Sequence, residues 1–363
     1  MALQGPSVSD RPDAAQRPEV LVTGGTGFIG SWLLAALTAR GRSVAALVRH
    51  AGDRQAELGT WVDARGGNSE LIVHVDSDLT GDLGLDDPRL SSVRDVYHLA
   101  ARFGFGLGID EARAANVAPS LELVEWAASL THLRRFVLVT GYRSESDTWR
   151  RVVDDGSPAA WTTALAAHGA YETSKMEADV AVRSRAERLG VPLTRVHPAL
   201  VIGHSDTGET SQTTGLAETI GDLRNGSLPV LPATRGTWLP LIPVDWVAAF
   251  LAQIVEDDSS VGGSYPLLDE RTPPFTELIA QVASHLGVRA PRLRINPAIL
   301  RRLPSRLTGV TGEQLSFISA DRYPMESTNR VAARMELPGY DLDAATRAWV
   351  DHLVATDFGA NPG

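Results

Sequence analysis

The chain has 363 residues, 43% of them hydrophobic, enough apolar material for about two domains with buried cores. Lys and Arg total 34 against 44 Asp and Glu, a formal charge of −10. That balance argues against a general nucleic-acid binder, whose affinity rests on neutralising phosphates, and the absence of cysteine excludes disulfides, thiolate nucleophiles, iron–sulfur clusters and Cys-based zinc sites.

Residues 1–18 are rich in Pro, Ser, Asp and Gln and read as a flexible arm. They hold no apolar signal core, and no apolar run reaches the roughly 18 residues of a membrane span, so a cytoplasmic soluble protein is expected. From Glu19 short apolar runs alternate with helical-period stretches. The runs are VLVT (20–23), VAALV (44–48), LIVHV (71–75), DVYHLA (95–100), RFVLVT (135–140) and LTRVHPALVI (193–202). Between them, 31–41, 120–130 and 171–190 have helical spacing with a breaker at or near the end. Strands alternating with helices predict an α/β fold, a doubly wound parallel sheet of Rossmann type over residues 19–202. Residues 203–363 read mainly as a smaller substrate lobe, with helices at 272–287 and 343–358 and some segments returning to the core.

EVLVTGGTGFIGSWLLAAL places Gly24, Gly27 and Gly30 between the first strand and a helix starting near Phe28. Gly24 permits the tight turn, Gly27 lets backbone amides approach a pyrophosphate, and Gly30 allows close helix-to-strand packing. The helix start then presents unpaired N–H groups to the anion, so Thr26, Gly27, Phe28 and Ile29 are expected around it. After the second strand an NAD-preferring site would carry Asp or Glu; this chain has Arg49, suited to a 2′-phosphate, with Arg54 as a helper. NADPH is the expected cofactor.

With these residues in place the chain resembles an extended short-chain dehydrogenase/reductase over roughly residues 19–290. The resemblance rests on Thr23-Gly-Gly-Thr-Gly-Phe-Ile-Gly30, Asp78-Leu79, His98-Leu-Ala-Ala101 and Tyr171-Glu-Thr-Ser-Lys175. It implies that Asp78 and Leu79 meet the adenine, and that Leu99, Ala100 and Ala101 form a small-residue turn beside the cofactor. His98 itself reads as a packed histidine. The runs from His197-Pro198 to Gly208-Glu and from Leu241-Ile-Pro243 to Val247 are similar to the thioester-reductase and fatty-acyl-reductase-like subgroup. That similarity implies Pro198, Ala199 and Leu200 as a wall of the nicotinamide site. His197 stands where the subgroup often has Arg.

Tyr171 and Lys175 are four residues apart and share a helix face. A nearby ammonium lowers a phenol's pKa from about 10, tuning Tyr171 as acid–base catalyst. Lys175 is also expected to hydrogen-bond the nicotinamide ribose. A third group should donate a hydrogen bond to the substrate oxygen. The resemblance implies a Ser/Thr pair after the fifth strand, but this chain reads Thr140-Gly141. Either Thr140 takes the role, or Ser144 reaches in from the loop, or Tyr171 polarises the carbonyl alone; Thr140 is the favoured candidate. The stretch 142–170, with Trp149 and Trp161, is either a substrate-side lid or a surface excursion. Between 287 and 312 lie Arg289, Arg292, Arg294, Arg301, Arg302 and Arg306 with no carboxylate, either a solvated face or a dock for an acidic carrier protein or coenzyme-A phosphates.

The leading expectation is an NADPH-dependent reductase acting on the carbonyl of an acyl thioester, aldehyde or ketone. The alternatives are a nucleotide-sugar epimerase or dehydratase with bound NAD, and a non-catalytic NADPH sensor or scaffold. No metal site, nucleic-acid partner or membrane span is expected; a homodimer through helices such as 116–130 and 171–189 is implied by resemblance.

Overall fold

The computed structural model describes residues 17–300, apart from Phe103, Phe105 and Arg235, and residues 319–360. The expected arm therefore lies outside the described residues except for its last two.

Seven strands, β1 (Val20–Thr23), β2 (Val44–Val48), β3 (Ile72–Asp76), β4 (Asp95–His98), β5 (Arg135–Val139), β6 (Leu193–Pro198) and a later strand, Ser264–Leu267, form one sheet. Every pairing in it is parallel, as the near-continuous apolar runs require of strands buried on both faces. The spatial order places β1 between β2 and β4, so the winding reverses between β1 and β4 and leaves a crevice at their carboxyl ends. The helices of this half are α1 (Phe28–Ala39), α2 (Ala51–Asp63), α3 (Ile109–Asn116), α4 (Ala118–Ser129), α5 (Asp147–Asp155) and α6 (Pro158–Leu189).

Side-chain alternation sorts the strand residues into two cores. Val20, Val22, Val44, Ala46 and Val137 pack with Leu33, Leu34 and Leu37 of α1. Leu21, Ala45, Leu47, Phe136 and Leu138 pack instead with Leu123 and Val124 of α4 and Val182 and Ala186 of α6. At the amino edge of the sheet, far from the crevice, buried Asp95 receives Arg42 at 2.6 Å and Arg134 at 2.5 Å, which pins three segments together.

Past β6 the chain forms β7 (Leu200–Ile202), α7 (Leu216–Arg224), β8 (Val230–Pro232), β9 (Leu241–Pro243), α8 (Val244–Ile254), β10 (Ser264–Leu267), α9 (Phe275–Leu286), β11 (Leu293–Ile295), α10 (Pro297–Leu300), α11 (Glu326–Arg334) and α12 (Leu342–Ala355). Two small parallel sheets, β7–β9 and β8–β11, lie beside the main one. A third core unites Ile202 of β7 with Leu216, Ile220, Phe275, Ile279, Trp349 and Leu353 from α7, α9 and α12.

Two readings need correction. The run 193–202 is two strands, not one: Ala199 donates to Leu267 O at 2.8 Å and Leu200 to Pro240 O at 3.1 Å, so the chain changes sheet at Ala199. The stretch 142–170 is not a loose excursion but a short turn, Tyr142–Glu145, followed by α5 and the first part of α6. Fully buried Trp149 anchors it against Ala164 and Met176.

Candidate active site

The crevice is floored by the turn from β1 into α1. Gly24 has φ +73°, and a Cβ there would sit 2.9 Å from Ala100 N; at Gly30 it would sit 2.0 Å from Gly24 O. Both glycines are therefore required by sterics, and their closeness brings the turns after β1 and β4 together. A Cβ at Gly27 would meet Gly24 O at 3.2 Å and is otherwise clear of the fold, so the exposed side of this turn is bare backbone. Gly27 caps α1 with no side-chain hydrogen bond, and no acid occupies the first turn. Thr26 and Gly27 are exposed, and Phe28 and Ile29 half-buried. This arrangement fits the diphosphate of a dinucleotide, which needs amides at close range and no competing carboxylate.

Arg49 is exposed directly after β2, and Asp78 follows β3 on the same carboxyl edge. Thr80 donates its amide and hydroxyl to Asp78 Oδ1, both at 3.0 Å, and holds that carboxyl below its usual range, with Arg49 and His50 adding to the effect. Leu79 is half-buried beside it. Ala100 donates to Thr23 Oγ1 at 3.1 Å, which fastens the Leu99–Ala101 turn against the first strand. His98 is packed: its Nδ1 lies 2.8 Å from Thr23 Oγ1 and its Nε2 2.7 Å from Ser120 Oγ.

On the other side of the crevice, Gly169 interrupts α6 with φ 82° and ψ 173°, so a fresh helical run begins just before Tyr171. Lys175, one turn on, donates from Nζ to Val139 O at 3.3 Å and so reaches the end of β5, adjacent to Thr140. Burial and the neighbouring Glu172 carboxyl push Tyr171 up to about 12. Burial pushes Lys175 down to about 8. The expected lowering of the phenol by the lysine is not found: burial and Glu172 are what shift Tyr171, and both raise it. Glu172 is buried and held by Arg143 Nε at 2.8 Å and Trp149 Nε1 at 2.7 Å, so the 142–170 segment secures the residue next to Tyr171. Pro198 is buried at the end of β6, with Ala199 and Leu200 half-buried after it.

Thr140 does not stand alone. Its Oγ1 lies 2.5 Å from His197 Nδ1, and Ser144 Oγ lies 2.9 Å from the same nitrogen. His197 Nε2 is 2.8 Å from Ser264 Oγ and 3.3 Å from Glu145 Oε1. The imidazole, Ser264 and Arg195 together hold the Glu145 carboxyl down at about 2. Sequence reasoning missed this cluster because its members come from β6, β10, the residue after β5 and the turn Tyr142–Glu145. It also missed Asn116, buried at the end of α3, which donates to Ser174 Oγ at 3.0 Å and accepts from Arg102 N at 2.8 Å. The one sequence signal for the cluster was His197 itself, in place of the usual arginine.

Among the described residues no group of three or more His, Asp or Glu side chains could hold a metal ion, and no helix is long and apolar enough to cross a membrane. Arg289, Arg292 and Arg294 are exposed; Arg301, Arg302 and Arg306 lie outside the described residues.

The chain is 27% identical over 316 residues to the non-canonical nonribosomal peptide synthetase FrzA of Cladobotryum sp, covering 82% of this chain and 30% of that protein. It is 25% identical over 269 residues to aldehyde reductase lnbA of Aspergillus flavus, covering 69% of this chain and 26% of that protein. The chain thus spans less than a third of the length of either relative. The terminal R domain from the myxalamid PKS-NRPS biosynthetic pathway shares the fold, with a TM-score of 0.74 at 21% identity over 96% of this chain and 93% of that one. The model of the family described as male sterility protein, an NAD-binding family, matches residues 22–251. Since that match runs from β1 into α8, through six strands of the main sheet, the chain belongs to the male sterility protein family, an oxidoreductase family of the extended short-chain dehydrogenase/reductase type with a nicotinamide-cofactor fold.

Proposed function

We propose that the protein is an NADPH-dependent reductase of carbonyl groups, acting on an acyl thioester, aldehyde or ketone. The observation that carries this reading is Lys175, one helical turn from Tyr171, reaching the carboxyl end of β5 next to Thr140, with its Nζ 3.3 Å from Val139 O. Gly24, Thr26, Gly27, Phe28, Ile29 and Gly30 would hold the diphosphate, Asp78 and Leu79 the adenine, and Leu99, Ala100 and Ala101 the neighbouring edge. Pro198, Ala199 and Leu200 would wall the nicotinamide.

When bound, the reduced cofactor supplies a hydride to the carbonyl carbon. The chain supplies the proton and the field. A phenol raised to about 12 keeps its proton at neutrality, so Tyr171 is poised to protonate the incipient alkoxide rather than to abstract a proton. Lys175, desolvated yet charged below about pH 8, would orient the ribose and offset the tyrosinate left behind. Thr140 would donate to the substrate oxygen as negative charge develops there.

Arg49 supports the choice of NADPH: an exposed guanidinium at the end of β2 matches a 2′-phosphate, with bidentate contacts open to it. The nonribosomal peptide synthetase relatives and the exposed Arg289, Arg292 and Arg294 support a substrate presented as a thioester on an acidic carrier protein or on coenzyme A.

Loss of NADPH absorbance is measured with octanoyl-coenzyme A, octanal and 2-octanone. Turnover of at least one is expected, and no oxidation of NADPH by any would overturn the reading. In Arg49→Glu, NADPH affinity is expected to fall at least about tenfold while NADH affinity holds, the loss of one charge-assisted phosphate contact. Equal weakening of both would remove the argument for the phosphate.

A further inference from the structure

His197 is fully buried on β6, and each ring nitrogen faces two oxygens. On the Nε2 side, the Ser264 hydroxyl donates to Glu145 Oε1 at 2.6 Å, which commits its one proton. Glu145 is an ionised acceptor, also bonded at 3.3 Å by Arg195, whose guanidinium lies 3.1 Å from Asp179 on α6. Both partners of Nε2 are therefore acceptors, and the ring carries its proton there. With the proton on Nε2, Nδ1 presents one lone pair towards the two hydroxyls. A single lone pair accepts one hydroxyl proton, yet Thr140 and Ser144 both lie within reach of it. Both of those side chains are half-buried, on the side of the ring nearer the end of β5, while the ring itself is closed to solvent.

This arrangement bears on the missing hydroxyl at Gly141. Ser144 sits in the short turn Tyr142–Glu145, and its hydroxyl donates its proton to Gly141 O at 2.8 Å, leaving the oxygen facing Nδ1. The turn thus carries a hydroxyl back towards Thr140, 3.4 Å away, and the same turn brings Glu145 to the far side of the ring.

Resting on the reductase reading above, we infer that His197 is the positioning residue of a two-hydroxyl oxyanion site. Its Nδ1 gathers Thr140 and Ser144, and when the Ser144 proton turns from Gly141 O to Nδ1, Thr140 is released to donate to the substrate's carbonyl oxygen. Ser144 thereby restores the second hydroxyl that Gly141 lacks. His197 touches no substrate; it acts through the pair, and Glu145 acts through His197 by fixing the tautomer.

The test uses the full chain with NADPH and whichever of the three probes above it turns over. Thr140→Val and Ser144→Ala are each expected to lower kcat about tenfold, because one hydroxyl remains, and the double variant about 10²- to 10³-fold. His197→Phe should lower kcat about 10²-fold with KM and the NADPH dissociation constant within about twofold of wild type. His197→Asn, which puts an amide near the Nδ1 position, should recover most of that loss. In the Thr140→Val/Ser144→Ala background, His197→Phe or His197→Asn should cost nothing further. If the losses add in that background, or if His197→Phe leaves kcat unchanged, the inference is overturned while the reductase reading stands. Should His197→Phe fail to fold, His197→Asn decides the same question, with additive loss in the double-variant background overturning the inference. If wild type oxidises NADPH with none of the probes, it is the reductase reading that fails.

Discussion

Two buried histidines end two strands of the same sheet, and their surroundings separate support from chemistry. His98, at the end of β4, is bonded to Thr23 on one nitrogen and Ser120 on the other. Both of those hydroxyls are buried, and both have backbone partners: Thr23 accepts from Ala100 and Ser120 donates to Asn116 O at 2.6 Å. No carboxylate faces the ring among its hydrogen-bond partners, and burial, with Lys175 nearby, pushes His98 down to about 3. It is a neutral cross-brace between β1, β4 and α4. His197, equally buried at the end of β6, meets hydroxyls that are half-exposed and is backed by the Glu145 carboxylate. A histidine with its polar capacity spent inside the fold holds the crevice together. One that lends its lone pair to accessible hydroxyls can shape what enters.

Substitutions can break this contrast. The largest effect is expected on the chemical side at Tyr171→Phe: loss of the proton donor should reduce kcat about 10³-fold while NADPH binding, followed by fluorescence, persists. Retained turnover would empty the β5–α6 end of its assigned role. Next comes pH. Lys175 has its proton affinity lowered to about 8, so its ammonium is present below that pH and lost as pH rises through it. The rate should fall about tenfold per unit above pH 8, and Lys175→Arg should move that limb upwards. A flat profile to pH 10 in wild type would show that the charge is not needed.

The smallest effect is expected at the brace. His98→Leu leaves Thr23 and Ser120 with their backbone partners, so unfolding free energy should drop by about 2 kcal/mol with kcat within a few-fold of wild type. The sign of its pH effect follows from the lowered pKa. Between about 3 and 6.5 the unfolded chain protonates His98 and the folded one does not, so the wild type loses stability as pH falls through that window. His98→Leu should lessen that loss. Thermal melts across the window check it, and a collapse of kcat without loss of stability would erase the distinction between the two histidines.

Much of the nucleotide side was legible in the residue order. The turn of Gly24, Gly27 and Gly30 announces itself because backbone conformation and sterics are local: φ +73° and a 2.0 Å collision are properties of a few consecutive residues. The apolar runs located β1 to β5 within a residue or two, and the spacing of Tyr171 and Lys175 put them on one face. Less was legible further on. The short strand β10, interrupted by Pro266, gave no periodicity, yet it forms the sheet edge beside β6. The 142–170 stretch showed two tryptophans but not that Trp149 is buried under α6 or that it bonds Glu172.

The order of residues by itself determined the parallel sheet, the glycine turn and the helix face shared by Tyr171 and Lys175, since each is encoded by neighbours in the chain. The tertiary structure decided the company of His197: Thr140 lies 57 residues before it, Ser144 53 before, and Ser264 67 after. It also decided the protonation of Tyr171 and Lys175, because desolvation depends on what the whole fold packs around a group and no local pattern records that.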